Sequence, residues 1–239
     1  MTPALSVVVP AHNEEAFLEQ TIADVIGGLR TRGESFEVVV VENGSTDATL
    51  ELARAIAART PELAVHHLPN ADYGEALRTG LLAARGDLVV MFDVDYYDLG
   101  FLDRARALMA AGGPAVVVAS KRAAGTEDTR PFARRCVTAG FALVLRFGFG
   151  LAVSDTHGMK TMRRREVDTI ARLCRFGTDL FDTELVLRAE RAGLEVAELP
   201  VAVEERRPSR TPVWRRIPRT LVGLVRLRVM LTRERRRDG

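Results

Sequence analysis

The feature that most constrains this chain is a short apolar run that ends in paired carboxylates, DLVVMFDVDYYD at residues 87–98. Residues 88–92 are apolar, with two β-branched valines, and form a run long enough for one buried strand. Asp93 and Asp95 follow directly, with Val94 between them. Ligands of an open α/β sheet bind at the carboxyl ends of its strands, so these acids are predicted to lie at a binding site. Two such carboxylates suit a hard divalent cation, and the simpler alternative is an acidic turn.

Charge is distributed unevenly along the 239 residues, which are enough for one large domain or two small ones. Residues 1–120 hold 8 Lys/Arg against 17 Asp/Glu, a net charge of −9, whereas residues 121–239 hold 26 against 15, a net charge of +11. Nearly all the basic residues are arginine, and Lys121 and Lys160 are the two lysines. The second half is therefore predicted to bind anions such as phosphates, nucleic acid or acidic lipid.

The cellular location is predicted from the start of the chain and from its cysteines. No basic segment precedes the first apolar run, which stops at Pro10, so a secretory signal is not predicted. Cys136 and Cys174 have neither metal-ligand nor disulfide-framework spacing. We expect a cytosolic protein with reduced cysteines.

Strands and helices are predicted to alternate about every 30 residues through the first 120 residues. Apolar β-branched runs predict strands at 5–9, 36–41, 64–68 and 88–92. Helices are predicted from Asn13 to about Arg30, from Ser45 or Thr46 to Arg59, and over 73–84. This alternation predicts an α/β fold with a mostly parallel, doubly wound sheet and helices on both faces. No G-x-G-x-x-G follows the first strand, which argues against a dinucleotide dehydrogenase.

Polar side chains follow three of these strands and are predicted to meet at one edge of the sheet. Glu14 comes after the first strand, Glu42 and Asn43 after the second, and Asp93 and Asp95 after the fourth. Glu42 and Asn43 are suited to hydrogen-bond a nucleobase and a ribose. Each position alone is better explained as a helix cap or a partner of a helix dipole, but the convergence of three positions favours a binding site.

Six stretches, in order, resemble the inverting glycosyltransferases of family 2, which have the GT-A fold. They are VVVPAHNEE (7–15), VVVENGSTDAT (39–49), YGEALRTGL (73–81), MFDVD (91–95), DTHGMKTMRR (155–164) and FDTELVLRAERAGLEVAELPV (181–201). The resemblance covers roughly residues 5–210. Within the family the chain is similar to the dolichyl- or polyprenyl-phosphate sugar synthases.

The resemblance implies a nucleotide-sugar donor, GDP- or UDP-linked, and a Mg or Mn ion. Asp93 and Asp95 would coordinate this ion against the donor diphosphate. The nucleotide-binding positions implied are Pro10, Ala11, His12, Glu14, Glu42, Asn43, Asp72, Gly74, Asp93, Val94 and Asp95. The chain departs from the family where Glu42 and Asn43 replace two aspartates, where His12 replaces a common tyrosine, and where Tyr97 replaces a polar residue beside the metal.

The acceptor decides whether the reaction needs a general base. A hydroxyl must lose its proton during attack, whereas a lipid phosphate is already anionic and needs cations to hold it. Asp182 matches the catalytic base of family members that act on hydroxyls, with a helix N-cap as the alternative. The positions that match diphosphate or acceptor-phosphate ligands of the polyprenyl-phosphate synthases are Lys121, Arg122, Arg134, Thr138 and Arg206, which follows the expected strand VAVEE.

Two segments indicate contact with a membrane surface. Residues 136–154 are apolar with Arg146 as their one charge, and the segment is barely long enough to span a bilayer. We expect a helix whose apolar side meets either the core or a membrane surface, and full spanning is not expected. Residues 214–239 mix apolar residues with arginines in the manner of an interfacial helix. A basic helix packed on the domain, or an RNA-binding tail, is the alternative, although no aromatic interleaving supports nucleic acid. We therefore expect a catalytic domain at 1–212 and a basic amphipathic helix at 213–239.

Together these observations predict a metal-dependent inverting glycosyltransferase, peripheral to the membrane on its cytosolic face. It would move one sugar from a nucleotide donor to a polyprenyl phosphate. One alternative is the same fold acting on a hydroxyl of a small molecule or glycan, with Asp182 as the base. A second alternative is a nucleotide-binding module without catalysis.

Overall fold

The structure is a computed structural model that describes residues 2–120, 132–151, 153, 155–177, 180–201 and 213–238. Within these residues the strands are β1 Leu5–Ala11, β2 Phe36–Asn43, β3 Leu63–Leu68, β4 Leu88–Met91, β5 Val116–Ser120, β6 Lys160–Arg163 and β7 Val196–Pro200. The helices are α1 Leu18–Arg30, α2 Thr49–Ala57, α3 Tyr73–Ala83, α4 Leu99–Met109, α5 Phe132–Phe149, α6 Arg164–Leu173, α7 Phe181–Arg191 and α8 Val213–Asp238, and a short 3₁₀ turn spans Ala110–Gly112.

The described strands form one sheet in the order β3-β2-β1-β4-β6-β5-β7. Strands β1 to β4 are parallel to one another, as predicted, and β7 is parallel to β5. Strand β6 runs antiparallel between β4 and β5, and the sequence analysis did not predict this strand. The predicted α/β fold with a mostly parallel sheet is confirmed, and the antiparallel strand is its one reversal of direction among the described residues.

The register brings the ends of four strands to one edge of the sheet. Ala11 at the end of β1 pairs with Glu42 near the end of β2, and Val8 pairs with Met91, the last residue of β4. Because β6 is antiparallel, its first residue, Lys160, pairs with Met91. The carboxyl edge of the parallel strands therefore also receives the amino end of β6.

Helices cover both faces of the sheet because its central strands are apolar on both sides. Valines of β1 and β2 alternate between the faces, with Val8 and Val39 in one buried cluster and Val7 and Val38 in the other. Helices α1, α2 and α4 contribute to the second cluster, and α3, α6, α7 and α8 to the first. Strands buried on both faces read as continuous valine runs, which is the pattern of the sequence.

Two helices begin later than the sequence predicted. Helix α1 starts at Leu18 rather than Asn13, because Asn13 adopts a left-handed φ of 56° and its N–H donates to Ser45 Oγ at 3.0 Å. Helix α2 starts at Thr49, whose N–H donates to Asp47 Oδ1 at 3.0 Å. Polar side chains in both segments stabilise the loops at the carboxyl edge rather than the first helical turns. A strand was expected at VAVEE, residues 201–205. In the structure β7 ends at Pro200, so Val201 is not part of a strand, and residues 202–205 lie outside the described part of the chain.

Helix α8 packs on the domain through one face and exposes apolar residues on another. Leu224, Leu227 and Leu231 are buried in the same cluster as the core of α3 and α7. The Arg188 guanidinium on α7 donates to both Glu234 carboxylate oxygens, at 3.0 and 3.2 Å. The sequence analysis weighed an interfacial amphipathic helix against a helix packed on the domain. In the structure one face of α8 packs on the domain and another exposes apolar residues.

Truncating Leu227 to alanine is expected to lower the free energy of unfolding by about 2–5 kcal/mol, because this side chain is fully buried. Val225 lies on the exposed face of the same helix, and Val225→Ala is the matched control, with an expected change within about 0.5 kcal/mol. Urea unfolding followed by circular dichroism measures both. Equal losses in the two variants would contradict the packing of α8 on the core.

Candidate active site

The loop that follows β4 holds Asp93 and Asp95 in a tight turn at the carboxyl edge. The Asp93 N–H donates to the Tyr96 carbonyl at 3.1 Å, and the Tyr96 N–H donates back to the Asp93 carbonyl at 3.3 Å. The buried Thr21 hydroxyl of α1 donates to the Val94 carbonyl at 2.6 Å. Val94, which lies between the two acids, is itself buried and holds the turn in place.

Asp93 lies in a concentration of negative charge. Burial raises the pKa of its carboxyl to about 6, and the neighbouring carboxylates of Asp182 and Asp95 act in the same direction. The Tyr73 hydroxyl acts to lower the pKa of Asp93, because it donates a hydrogen bond to Asp93 Oδ1 at 2.8 Å. Burial and the same acids raise the pKa of the Tyr73 phenol well above its ordinary value, so Tyr73 remains a protonated donor.

Asp182 belongs to the same cluster and is paired with a buried lysine. It lies in the first turn of α7, whose N-cap is Leu180 and not Asp182. Lys160 Nζ donates to Asp182 Oδ1 at 2.7 Å and to the Gly158 carbonyl at 2.8 Å. Lys160 is fully buried, so its ammonium makes an ion pair with Asp182 away from bulk water.

The donor set at this edge fits a divalent cation that takes few protein ligands. Among the described residues, no group of three or more His, Cys, Asp or Glu side chains is placed to hold a metal ion. Asp93 and Asp95 are the two carboxylates that the sequence analysis predicted for such an ion. Mg²⁺ characteristically binds through one or two carboxylates together with waters and substrate phosphates, so the remaining positions suit a diphosphate.

Glu42 and Asn43 lie beside the end of β1, as the sequence predicted. Glu42 is buried and accepts from the Ser45 N–H at 2.6 Å, and its second oxygen lies 2.5 Å from His67 Nδ1. Burial acts to raise the pKa of the Glu42 carboxyl, but the hydrogen bonds from Ser45 and His67 outweigh it, and the pKa lies below its ordinary value. Asn43 Nδ2 donates to the Ala11 carbonyl at 3.0 Å. Glu42 thus already stabilises the turn after β2.

Two further predicted nucleotide-binding residues occupy the start of α3. Asp72 caps the helix, accepting from the Glu75 N–H at 3.0 Å. Gly74 packs so closely that an added Cβ would lie 2.5 Å from the backbone of Gly177, which precedes α7. A glycine is required there by this approach of two backbones. These contacts fix α3 against the segment that leads to Asp182.

The remaining predicted nucleotide positions lie at the edge around β1. His12 follows the strand, and its Nδ1 is 2.8 Å from the Asn43 carbonyl. The Glu14 N–H donates to Thr49 Oγ1 at 2.8 Å. Pro10 and Ala11 end the strand. The structure therefore brings the predicted residues of three strand ends together, as the parallel register requires.

The predicted phosphate ligands are not placed by the structure. Lys121, Arg122 and Arg206 lie outside the described residues, and Arg134 and Thr138 lie in α5 with side chains outside them. Conversely, the sequence analysis did not assign Tyr73, Lys160 or His67 to the site. The sequence does distinguish Lys160, because it is one of two lysines in a chain with 34 basic residues.

Comparison with known proteins identifies a family for most of this region. The family model described as "Glycosyl transferase family 2" matches residues 6–170. Among curated proteins, the chain is 30% identical over 213 residues to a dolichyl-phosphate beta-glucosyltransferase of Trichomonas vaginalis, covering 84% of this chain and 66% of that protein. It is 29% identical to the glycosyltransferase AglD of Haloferax volcanii, covering 89% of this chain and 35% of that protein. The chain thus spans under two thirds of these relatives.

A solved structure supports the same fold. The chain matches glucosyl-3-phosphoglycerate synthase from Mycobacterium tuberculosis, in complex with Mn²⁺, uridine diphosphate and phosphoglyceric acid, with a TM-score of 0.69 and 25% identity. The match covers 95% of this chain and 78% of the other. The predicted GT-A architecture is thereby confirmed.

Replacing Glu42 with glutamine is expected to cost about 1–3 kcal/mol of unfolding free energy at pH 7, because a buried carboxylate loses charged hydrogen bonds. The folded-state pKa of Glu42 is lowered, so its stabilisation is present above the ordinary pKa of 4.5 and is lost as pH falls through the folded value. The difference between wild type and variant should therefore shrink below about pH 4.5.

Denaturant unfolding at pH 7 and at stepwise lower pH measures this difference. Glu75→Gln is the matched control, because Glu75 is a partly exposed partner of Arg78 and is expected to change stability by less than about 0.5 kcal/mol. A Glu42 effect that does not depend on pH would refute the electrostatic explanation.

Proposed function

Because the chain belongs to glycosyl transferase family 2, we propose that it transfers one sugar, with inversion, from a nucleotide-diphosphate sugar to a polyprenyl phosphate. The observation that carries this proposal is the position of Asp93 and Asp95, which follow β4 at the edge where β1 and β2 also end. The relatives named as dolichyl-phosphate beta-glucosyltransferases support the acceptor class.

The leaving nucleoside diphosphate explains the need for the carboxylates. A Mg²⁺ or Mn²⁺ ion held by Asp93 and Asp95 would neutralise the charge that develops on the diphosphate. The chain itself supplies the rigid turn around Val94 and the Tyr73 hydroxyl that orients Asp93. The Mn²⁺ in the related mycobacterial structure supports a divalent cation.

The nucleotide base would lie over the ends of β1 and β2. His12 is a partly exposed polar side chain there, while the buried Asn43 and Glu42 hold the end of β1 and the turn after β2. A guanine or a uracil could meet these groups, so the donor is GDP- or UDP-linked. The nucleotide-binding role of these residues is part of the proposal.

An anionic acceptor is supported by the relatives named as dolichyl-phosphate and undecaprenyl-phosphate transferases. A hydroxyl acceptor would instead need Asp182 as its base. We favour a phosphate acceptor over a hydroxyl, with Lys121, Arg122, Arg134, Thr138 and Arg206 as its proposed ligands.

The outer faces of α5 and α8 support binding to a membrane surface. Leu143 and Phe147 of α5 are 55% and 81% exposed, and Val225 of α8 is 64% exposed. The two helices meet where the Arg228 guanidinium lies over the Phe149 ring, 5.9 Å from its centroid. Exposed apolar side chains next to arginines suit the interface of an anionic bilayer.

Peripheral rather than spanning attachment is proposed for this surface. In the part of the chain that the structure describes, no helix combines the length and apolar character needed to cross a bilayer. We propose that residues 1–212 form the catalytic domain and that 213–239 form the basic helix that contacts lipid, on the cytosolic face.

Replacing both Asp93 and Asp95 with asparagine is expected to lower sugar transfer at least about a hundredfold, because the leaving diphosphate loses its stabilised charge. Transfer from GDP- and UDP-sugars to a short polyprenyl phosphate, with Mn²⁺ present, is the assay. Asp87→Asn is the matched control: this exposed acid precedes β4 at the opposite edge, and its removal should leave the rate unchanged. Wild-type transfer by the double variant would sink the proposed metal role.

Introducing glutamate at both Phe147 and Val225 is expected to reduce binding to vesicles of anionic phospholipid at least about tenfold, because charges replace the exposed apolar contacts. Co-sedimentation with the vesicles measures the bound fraction. Leu173→Glu is the control, since Leu173 is 51% exposed but lies on α6. Undiminished binding of the double variant, or an equal loss in the control, would exclude this surface as the lipid contact.

A further inference from the structure

Lys160 is a buried cation among three carboxylates and has no role in the mechanism described so far. It is fully buried, and its ammonium contacts Asp182 Oδ1 and the Gly158 carbonyl. Its charge also acts on Asp93, opposing the effect of Asp182 and Asp95. Taking an ammonium out of water is costly, so this position requires a partner that repays the cost.

The strand order explains why the lysine lies there. Strand β6 is inserted antiparallel beside β4, and Lys160 pairs with Met91, two residues before Asp93. Asp182 reaches the same place from the first turn of α7. Three separate segments of the chain therefore converge on one charge cluster, which contains Asp93, Asp95, Asp182 and Lys160.

The charges of this cluster match a divalent ion. Three ionised carboxylates and one ammonium give a net charge of −2, the opposite of one Mg²⁺ or Mn²⁺. Without the ammonium the cluster would carry −3.

We propose that Lys160 is a positioning residue for the transfer reaction: it fixes Asp182 through Oδ1 and sets the charge of the cluster that Asp93 and Asp95 present to the cation. Asp182 then acts as a fixed charge beside the metal ligands. The inference rests on the proposed function, because it assumes that Asp93 and Asp95 bind a divalent ion.

A purely structural ion pair makes a different prediction from a charge-setting one. If the pair only stabilises the fold, loss of either partner damages the site, and cation binding weakens in both cases. If the pair sets the charge, loss of Lys160 and loss of Asp182 shift cation binding in opposite directions. The direction of the two shifts therefore separates the alternatives.

The experiment titrates Mn²⁺ alone into the whole protein and follows free Mn²⁺ by electron paramagnetic resonance. The titration is run at pH 8, where aspartate carboxyls and lysine amines ordinarily carry their charges. The variants are Lys160→Met, Lys160→Arg, Asp182→Asn and the double variant Lys160→Met with Asp182→Asn. Thermal unfolding is recorded for each, because a single variant leaves one buried charge unpaired.

Lys160→Met is expected to bind Mn²⁺ about three- to tenfold more tightly, and Asp182→Asn about three- to tenfold more weakly. The double variant restores the net charge of −2 and is expected to bind within about twofold of wild type, as is Lys160→Arg. The double variant also keeps the test valid if a single variant does not fold, since it buries no unpaired charge. Arg85→Met, which breaks the Arg85–Glu37 ion pair at the opposite edge of the sheet, is the matched control and should leave Mn²⁺ affinity unchanged.

Weaker binding in both single variants, unchanged binding in both, or a double variant that differs from wild type more than about tenfold would overturn the role of Lys160. If the proposed function fails because Asp93 and Asp95 do not bind the cation, the double variant Asp93→Asn with Asp95→Asn will bind Mn²⁺ as well as wild type does. Loss of binding in that variant together with unshifted Lys160 variants would reject the charge-setting role alone.

Discussion

The concentration of carboxylates at the carboxyl edge of the sheet is the constraint on which the rest of the site depends. Asp93 has a raised pKa because it is buried near Asp182 and Asp95, so the folded protein keeps an electrostatic strain in place. The Tyr73 hydroxyl and the Lys160 ammonium relieve part of this strain. In the proposed function, a divalent cation would relieve the remainder.

Helix α7 connects this cluster to the outer surface of the protein. Asp182 lies at its start, and Glu184 accepts hydrogen bonds from the backbone N–H groups of Arg175 and Phe176 and from the Arg188 guanidinium. Arg188 in turn binds Glu234 on α8. One helix therefore carries both the charge beside the proposed metal ligands and the ion pairs that hold the proposed lipid-binding helix.

Much of the first half was predictable because its signals are local. Valine runs fixed the parallel strands, and the carboxylates after β4 were expected at the edge where they are found. The helix starts were wrong by three to five residues, since Asn13 binds the loop at Thr46, and Asp47, rather than Ser45 or Thr46, accepts from the first N–H of α2. The partner of Asn13 lies more than 30 residues away in the sequence, so no local pattern reveals the contact.

By itself the sequence determined the fold class, the order of the parallel strands along the chain and the residue types at their ends, because these depend on hydrophobic periodicity and on a few side chains in fixed order. Only the tertiary structure decided that β6 enters antiparallel beside β4 and that Lys160 meets Asp182. That contact joins residues 22 positions apart through strand pairing and helix packing. Burial makes the contact necessary, because an ammonium removed from water requires a charged partner, and a linear sequence does not display burial.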